Sequence, residues 1–166
     1  MSATLNQRWA ATIVGTLVGS GLRHAVIAPG SRSTPLALAF ADRADVKIWS
    51  VIDERSAAFF ALGLAKATQS RVAVLCTSGT AGAHFLPAVM EAWAGATPIV
   101  MLTADRPWEL HGFGAPQTIA QVGMFGRYVL GDEALPTPDE ASLEHVVAVV
   151  ARLLAKGRGP VHVNVP

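Results

Sequence analysis

Short apolar runs alternate along the chain with longer segments whose apolar residues repeat at helical spacing. The runs are typical of strands, and Val72–Cys76 is continuous and rich in β-branched residues, as strands buried on both faces are. Together they predict strands at His24–Ala28, Val46–Ile52, Val72–Cys76, Pro98–Thr103 and Val161–Val165, with a brief strand at Tyr128–Leu130.

The segments between these runs show the features of helices. In the first, Leu5, Trp9, Ile13 and Leu17 recur every four residues, and glycines follow at 19 and 21. The other predicted helices cover 34–44 with Thr34 as its N-cap, Glu54–Thr68, Ala81–Trp93 delayed or bent at Pro87, and Leu143–Lys156. The long connection Ala104–Gly123 is rich in glycine and proline and predicts one short helix near Ile119.

Strands and helices alternate throughout the chain. This order predicts a single α/β domain over residues 1–166, in which a doubly wound, mostly parallel sheet carries helices on both faces.

Charge is scarce in this sequence. Charged residues make up 15% of the 166 positions and the formal net charge is +1, whereas ordinary domains carry about a quarter charged residues. No basic block or stripe is present, so nucleic acid is not an expected partner. One explanation of this composition is a small-residue core whose strands are covered on both faces. We favour a surface that other domains or subunits cover, which predicts a homo-oligomer.

The sequence also bears on compartment and on metal binding. Cys76 is the only cysteine, which excludes a disulfide framework and favours the cytoplasm. The polar start Met1–Trp9 is unlike a signal peptide. The longest uncharged run, Val72–Met90, contains polar residues, glycines and a proline, so we expect no membrane span. The five histidines are scattered without metal spacing, and we assign no metal ligand in this chain.

Two loops contain the candidate functional residues, and each connects the end of a predicted strand to the start of a predicted helix. Pro29–Leu36 offers Ser31, Arg32 and helix amides, and Asp53–Ser56 offers Glu54. Open α/β sheets bind ligands at this edge, and the pattern predicts an anion-binding loop beside an acid/base carboxylate.

Each of these features also has an ordinary structural explanation. Glu54 could simply lie in the first turn of a helix, where the helix dipole stabilises a carboxylate. The uncharged segment Ser56–Ala65 nevertheless predicts a dry environment for it. Ser31 and Arg32 could form a capping loop with a surface arginine. Thr80 could cap a helix, and Asp105–Arg106 could be a surface ion pair.

Four segments resemble a known family: Pro29–Leu36, Asp53–Lys66, Cys76–Ala81 and Thr103–Pro107. They are similar to the amino-terminal domain of the 2-succinyl-5-enolpyruvyl-6-hydroxy-3-cyclohexene-1-carboxylate synthases, thiamine-diphosphate enzymes of menaquinone biosynthesis. Pro29–Leu36 is the specific part, because the Glu54 motif alone indicates only some thiamine-diphosphate enzyme.

The resemblance implies a thiamine-diphosphate-binding fold and a role for individual residues. Glu54 would be the catalytic residue, sharing a proton with the pyrimidine N1′ of the cofactor. The resemblance further implies cofactor contacts from Thr77, Ser78 and Gly79. It implies substrate contacts from Ser31, Arg32, Arg106 and Gln117, since both expected substrates, isochorismate and 2-oxoglutarate, are rich in carboxylates.

The resemblance also implies what lies outside this chain. Later domains of such enzymes supply the ligands of the diphosphate and Mg²⁺, so the chain would be an inactive fragment of a larger transferase. One position departs from the family pattern Gly-Ala-Asn-Gln, because this chain has Gly114-Ala115-Pro116-Gln117. Pro116 has neither a side-chain amide nor a backbone N–H. Another thiamine-diphosphate decarboxylase or carboligase, and a non-catalytic regulatory domain of the same fold, therefore remain alternatives.

Overall fold

The computed structural model describes residues 4–166, and six strands form its single sheet. The strands are β1 (His24–Ile27), β2 (Lys47–Ser50), β3 (Val72–Cys76), β4 (Ile99–Ala104), β5 (Asp132–Ala134) and β6 (Val161–Val165). Every neighbouring pair is parallel, and the order across the sheet is β2-β1-β3-β4-β6-β5.

Five α-helices cover the two faces of this sheet. They are α1 (Leu5–Gly19), α2 (Thr34–Ala41), α3 (Glu54–Thr68), α4 (Leu86–Ala94) and α5 (Leu143–Leu154). Residues of α1, α2 and α5 join one hydrophobic cluster, and residues of α3 and α4 join the other. The predicted doubly wound α/β fold is therefore confirmed. Within residues 4–166, no helix combines the length and apolarity needed to cross a membrane.

Side chains of the central strands alternate between these two clusters. In β3, Ala73 and Leu75 face one cluster while Val72, Val74 and Cys76 face the other. All residues of β3, β4 and β6 are buried, whereas β2 lies at the edge of the sheet and is largely exposed. The continuous apolar runs of the sequence follow from this burial on both faces.

The strand order reverses beside β1, which pairs with β2 on one side and with β3 on the other. The chain leaves β1 toward α2 on one face and leaves β3 toward α4 on the opposite face. Loops that diverge in this way open a crevice at the carboxyl ends of the strands, where such sheets bind ligands.

Two elements predicted between β4 and α5 are wrong. No helix forms near Ile119. Instead of a strand at Tyr128–Leu130, a 3-10 turn covers Gly126–Tyr128, and the strand that follows is β5 (Asp132–Ala134). That strand has only three residues, two of them acidic, so it carries no apolar pattern. Its pairing with β6 is what holds it in the sheet.

Several predicted boundaries shift by a few residues. Ser33 rather than Thr34 is the N-cap of α2, and this helix ends at Ala41 rather than near 44. After β3, a 3-10 turn over Gly79–Phe85 precedes α4, whose first turn contains Pro87, so the predicted delay at this proline is confirmed.

Candidate functional site

The loop after β1, which we call the arginine loop (Pro29–Ser33), touches the turn after β3. A Cβ on Gly30 would lie 2.3 Å from the Cβ of Thr77, so only a glycine fits this contact. The Ser33 hydroxyl donates to the Gly30 carbonyl at 2.9 Å and fixes the loop from within. The two loops at the reversal of strand order are therefore packed directly against each other.

The turn after β3, the serine turn (Thr77–Thr80), depends on a second glycine. Gly79 has φ +81°, and a Cβ there would lie 3.0 Å from the Cα of Gln117. L residues rarely adopt this conformation. The turn also leaves one polar atom free: the buried Ser78 Oγ finds no hydrogen-bond partner within residues 4–166. An unpartnered buried hydroxyl at the ligand edge of a sheet indicates a binding site.

The turn after β2, the glutamate corner (Asp53–Ser56), starts α3. Asp53 is the N-cap, and its Oδ1 accepts from the Ser56 backbone N–H at 2.8 Å. Hydrogen bonds from Ser56 hold the pKa of Asp53 below its usual value. Glu54 occupies the first turn, with its side chain near the positive end of the helix dipole.

The predicted dry surroundings of Glu54 are wrong for this chain. Glu54 is only partly buried, and the preceding Ile52 is 83% exposed. The prediction rested on the apolar segment after Glu54, but Phe59 and Phe60 in that segment are themselves exposed. The helix α3 packs through its small residues on β1 and β3, and its outer face stays open.

A cleft of about 440 Å³ joins the glutamate corner to the serine turn. It brings together five of the predicted site residues: Glu54, Thr77, Ser78, Gly79 and Gln117. His84, for which the sequence indicated no role, also lines it, and Gln117 enters with φ +54°. A non-glycine residue in this strained region is a feature of functional sites.

The remaining predicted residues lie outside this cleft. Ser31 and Arg32 line a second cavity of about 230 Å³, together with Trp9 and Pro107. Arg106 is a lining residue of neither cavity. The structure thus separates the predicted cofactor residues from the predicted anion-binding loop, while the contact between Gly30 and Thr77 connects the two regions.

Arg32 and Arg106 nevertheless influence each other. Arg32 Nε donates to the Asp105 carbonyl at 2.8 Å. Burial lowers the pKa of Arg32 below its usual value, and the nearby positive charge of Arg106 lowers it further, while Asp105 opposes the shift. Within residues 4–166 the terminal guanidinium nitrogens of Arg32 donate no hydrogen bond, which leaves them available to an anion.

Asp105 is not part of a surface ion pair, so that alternative is wrong. Its side chain is buried, and its Oδ1 accepts from the Arg106 backbone N–H at 2.7 Å. The Arg106 Nε is buried and has no hydrogen-bond partner in the described part of the chain. An arginine with a desolvated, unpaired donor beside Arg32 is suited to binding a carboxylate.

A buried polar network beneath these loops was missed at the sequence level. It consists of Thr103, Asp105, Gln121, Asp132, His162 and Asn164, of which all but Asp132 are completely or almost completely buried. These residues lie on β4, β5, β6 and the long connection, so only the folded sheet brings them together. The sole sequence signal was polar residues at strand positions: Thr103, His162 and Asn164 interrupt otherwise apolar strands.

Backbone groups fix the direction of every hydrogen bond at one end of this network. Gln121 Oε1 accepts from the Gly79 N–H at 2.6 Å, and its Nε2 donates to the Ala104 carbonyl at 3.0 Å. The same Nε2 donates to Asn164 Oδ1 at 2.8 Å, and Asn164 Nδ2 donates to Asp105 Oδ2 at 2.7 Å. If the amide of Gln121 or Asn164 were rotated by 180°, its oxygen would face the Ala104 carbonyl or Asp105 Oδ2, and two acceptors would stand against each other.

The donors and acceptors are fixed in the same way as far as His162. Because Asn164 Oδ1 can only accept, the Thr103 hydroxyl donates to it at 2.8 Å and accepts in turn from His162 Nε2 at 2.7 Å. His162 Nδ1 lies 2.9 Å from Asp132 Oδ2. A proton is therefore required between these two atoms as well, on the imidazole or on the carboxyl group.

Cys76 takes no part in this chemistry. The residue ends β3 inside the sheet, and burial raises the pKa of its thiol well above its usual range. Such a thiol is a small core residue rather than a nucleophile.

A parallel sheet with a crevice at the reversal of strand order, a half-buried carboxylate and an unpartnered hydroxyl is typical of a small-molecule-binding α/β domain. Residues 7–124 match the family described as "Thiamine pyrophosphate enzyme, N-terminal TPP binding domain". The chain belongs to this family.

Several similar proteins belong to one group of enzymes within this family. The chain is 52% identical to the 2-succinyl-5-enolpyruvyl-6-hydroxy-3-cyclohexene-1-carboxylate synthase of Myxococcus xanthus, with 99% of this chain and 29% of the relative aligned. Synthases of the same name from Chloroflexus aurantiacus (52% identical, 95% of this chain, 28% of the relative) and Geobacillus kaustophilus (51%, 95%, 28%) match similarly. The predicted resemblance is confirmed, and the chain spans less than a third of these relatives.

Proposed function

We propose that this chain is the pyrimidine-binding domain of a thiamine-diphosphate-dependent transferase. The full-length protein would decarboxylate 2-oxoglutarate and add the succinyl unit to isochorismate in menaquinone biosynthesis. The observation that carries the proposal is the cleft that unites Glu54 with the serine turn, in a chain about half identical to synthases of that name.

The residues of the cleft fit the aminopyrimidine of the cofactor. This ring presents both hydrogen-bond donors and acceptors on a flat apolar body. The cleft offers the Glu54 carboxylate as an acceptor and the unpartnered Ser78 Oγ as a donor or acceptor. Thr77 and Gly79 provide backbone at close approach, since a side chain at residue 79 would meet Gln117.

Glu54 would be the catalytic residue of this domain. Its carboxylate would hold a proton at the position of the pyrimidine nitrogen and exchange it during turnover. When bound, thiamine diphosphate supplies the electron sink for decarboxylation. Burial of Glu54, which this chain alone does not provide, would strengthen its interaction with the ring because water would no longer compete.

Ser31, Arg32, Arg106 and Gln117 would contact the substrates. Arg32 and Arg106 provide two guanidinium groups near each other, and each substrate carries more than one carboxylate. Gln117 projects from the rim of the same cleft as Glu54. Pro116, exposed beside it, offers no N–H donor, so any substrate contact at this position is limited to its ring and carbonyl.

Assembly would complete the site. Ile52, two residues before Glu54, and Phe59 and Phe60, in the second turn of α3, expose apolar surface, which supports coverage of this region by another domain or subunit of a homo-oligomer. The ligands of Mg²⁺ and of the diphosphate would come from a part of the enzyme outside this chain. A cytoplasmic location is also proposed, supported by the lone buried cysteine.

The experiment that tests this function is a coupled assay of the full-length protein. With thiamine diphosphate and Mg²⁺, we expect carbon dioxide release from 2-oxoglutarate and a product only when isochorismate is present. Turnover of other 2-oxo acids or acceptors in preference to these would favour another carboligase. Cofactor binding without any turnover, in a protein lacking a downstream Gly-Asp-Gly type metal motif, would favour a regulatory domain.

A further inference from the structure

We propose that Gln121 is a positioning residue for the serine turn: through the Gly79 N–H it holds Ser78 and Gly79 in the conformation that receives the cofactor. The inference rests on the proposed function of the cleft. It adds a residue that neither lines the cleft nor belongs to any motif of the sequence.

Gln121 is fully buried and uses both ends of its amide. Its Oε1 accepts the Gly79 N–H at 2.6 Å, while its Nε2 donates to the Ala104 carbonyl at 3.0 Å and to Asn164 Oδ1 at 2.8 Å. The side chain thus connects the turn after β3 with the carboxyl ends of β4 and β6. Its other anchors lie on rigid strands, so the amide transmits the geometry of the sheet to the turn.

The turn needs such an anchor because its conformation is unusual. Gly79 has φ +81°, and the buried Ser78 hydroxyl has no partner in the described residues that would fix the turn on the cleft side. Glycine also has the largest conformational freedom of any residue in the absence of a constraint. The hydrogen bond from Gly79 to Gln121 supplies the constraint from below, and it leaves Ser78 free for a ligand.

Hydrogen bonds also connect the Gln121 amide indirectly to Arg32. Asn164, which accepts from Gln121, donates to Asp105, and the Asp105 carbonyl receives Arg32 Nε. Gln121 contacts the serine turn directly, whereas it reaches Arg32 only through two further residues. We therefore expect its loss to affect cofactor binding more than substrate binding.

Two substitutions in the full-length protein separate the contact with Gly79 from the contacts with the strands. Gln121→Met removes every hydrogen bond of the amide while keeping the length of the side chain. In Gln121→Glu one carboxyl oxygen accepts from Gly79, and the other, which faces the Ala104 carbonyl and Asn164 Oδ1, must be protonated and keeps one donor in place of two. Thr97→Val is the control, because Thr97 is buried in the loop that leads into β4, at the opposite end of that strand.

The measurements are the dissociation constant of thiamine diphosphate by calorimetry with Mg²⁺ present, and the exchange of the Gly79 amide proton by mass spectrometry without cofactor. For Gln121→Met we expect at least tenfold weaker binding and faster exchange at Gly79, with the KM for 2-oxoglutarate within about twofold of wild type at saturating cofactor. For Gln121→Glu we expect most of the affinity to return. Thr97→Val should change neither quantity.

Equal cofactor affinity in wild type and Gln121→Met would overturn the proposal. Equal losses of affinity in the two Gln121 variants would also overturn it, because the loss would then come from the contacts of Gln121 with the strands and not from its contact with Gly79. If Gln121→Met does not fold, slow Gly79 exchange and near-wild-type affinity in Gln121→Glu support the proposal, and a tenfold loss in that variant contradicts it. Absence of thiamine diphosphate binding by the wild-type protein is a distinct result, which would refute the proposed function itself.

Discussion

The glutamate corner and the serine turn lie at the same edge of the sheet, yet the structure holds them in different ways. The serine turn follows a central strand and is fixed by Gly30 on one side and Gln121 on the other. The glutamate corner follows an edge strand, and its own Asp53 cap is the hydrogen bond that orders it. Half of the site is therefore preassembled within this chain, and the other half is left open.

This difference explains which chemistry each region can support. Buried, fixed groups such as Ser78 can define the position of a ligand, because they do not reorganise when it binds. Glu54 lies beside exposed Ile52, so its carboxylate stays in contact with water until another surface covers it. The comparison predicts that substitutions in the serine turn affect this chain on its own, and that those at the glutamate corner act in the assembled enzyme.

The largest effect is expected from Gly30→Ala. The new Cβ would lie 2.3 Å from that of Thr77, so the arginine loop and the serine turn must move apart. Overpacking costs about 1–3 kcal/mol and occasionally more, and the overlap of two Cβ atoms places this variant at or above the upper end of that range. Gly63→Ala is the matched control, because a Cβ there meets nothing within 4 Å in the middle of α3, and we expect it to stabilise the chain by about 0.5–1 kcal/mol. Thermal melts of both variants test the pair, and a Gly30→Ala chain as stable as wild type would contradict the tight contact.

Ile52→Asp addresses the open half of the site. If another subunit covers the glutamate corner, the substitution removes about 1.5–3 kcal/mol of apolar burial from the assembly and leaves the fold intact. Sedimentation of the full-length protein should then show smaller species at micromolar concentration, while circular dichroism stays unchanged. An assembly of unaltered size would show that this corner is not an interface.

A smaller effect is expected from Arg32→Lys. Lysine cannot reproduce the bidentate fork of an arginine, and one charged hydrogen bond contributes about 1.5–3 kcal/mol. The KM of one or both substrates should rise about tenfold or more, with little change in cofactor affinity. Steady-state kinetics of the full-length protein provide the measurement, and unchanged KM values for both substrates would remove Arg32 from the site.

The smallest effect concerns the cap of α3. Because hydrogen bonding holds the pKa of Asp53 below its unfolded value, the contribution of the carboxylate to stability is complete above about pH 4 and is lost as the pH falls through the lower folded pKa. Asp53→Asn should lower the melting temperature slightly at pH 7 and have less effect at pH 2.5. The control is Asp42→Asn at the end of α2, which removes a negative charge from a helix C-terminus and should not destabilise the chain.

The sequence predicted the strands and helices that have a strong local pattern. Val72–Cys76, Glu54–Thr68 and Val161–Val165 match the structure residue for residue, because a strand buried on two faces leaves a largely apolar run and a capped helix leaves a recognisable start. The short strand Asp132–Ala134 could not be found in this way, since its pairing with β6 is a property of the folded sheet.

The site was predictable only as far as its loops carry motifs. The structure brings Glu54, the serine turn and Gln117 into one cleft, but the exposed surroundings of Glu54 depend on how α3 packs on the sheet, which the order of elements does not reveal. Gln121 and Asn164 are isolated polar residues in the sequence. Their connection spans 43 positions and exists only after β4 and β6 pair.

The most direct test of the proposed function is the effect of Glu54→Gln on the cofactor itself. The full-length protein is loaded with thiamine diphosphate, and hydrogen–deuterium exchange at the thiazolium C2 is followed by quenched-flow NMR. The amide keeps the size and reach of the carboxylate but cannot share a proton, and general acid–base roles account for about 10²–10⁴ in rate. We predict exchange slower by a factor in this range with the fold intact, whereas equal rates in two proteins shown to bind the cofactor would contradict the catalytic role of Glu54.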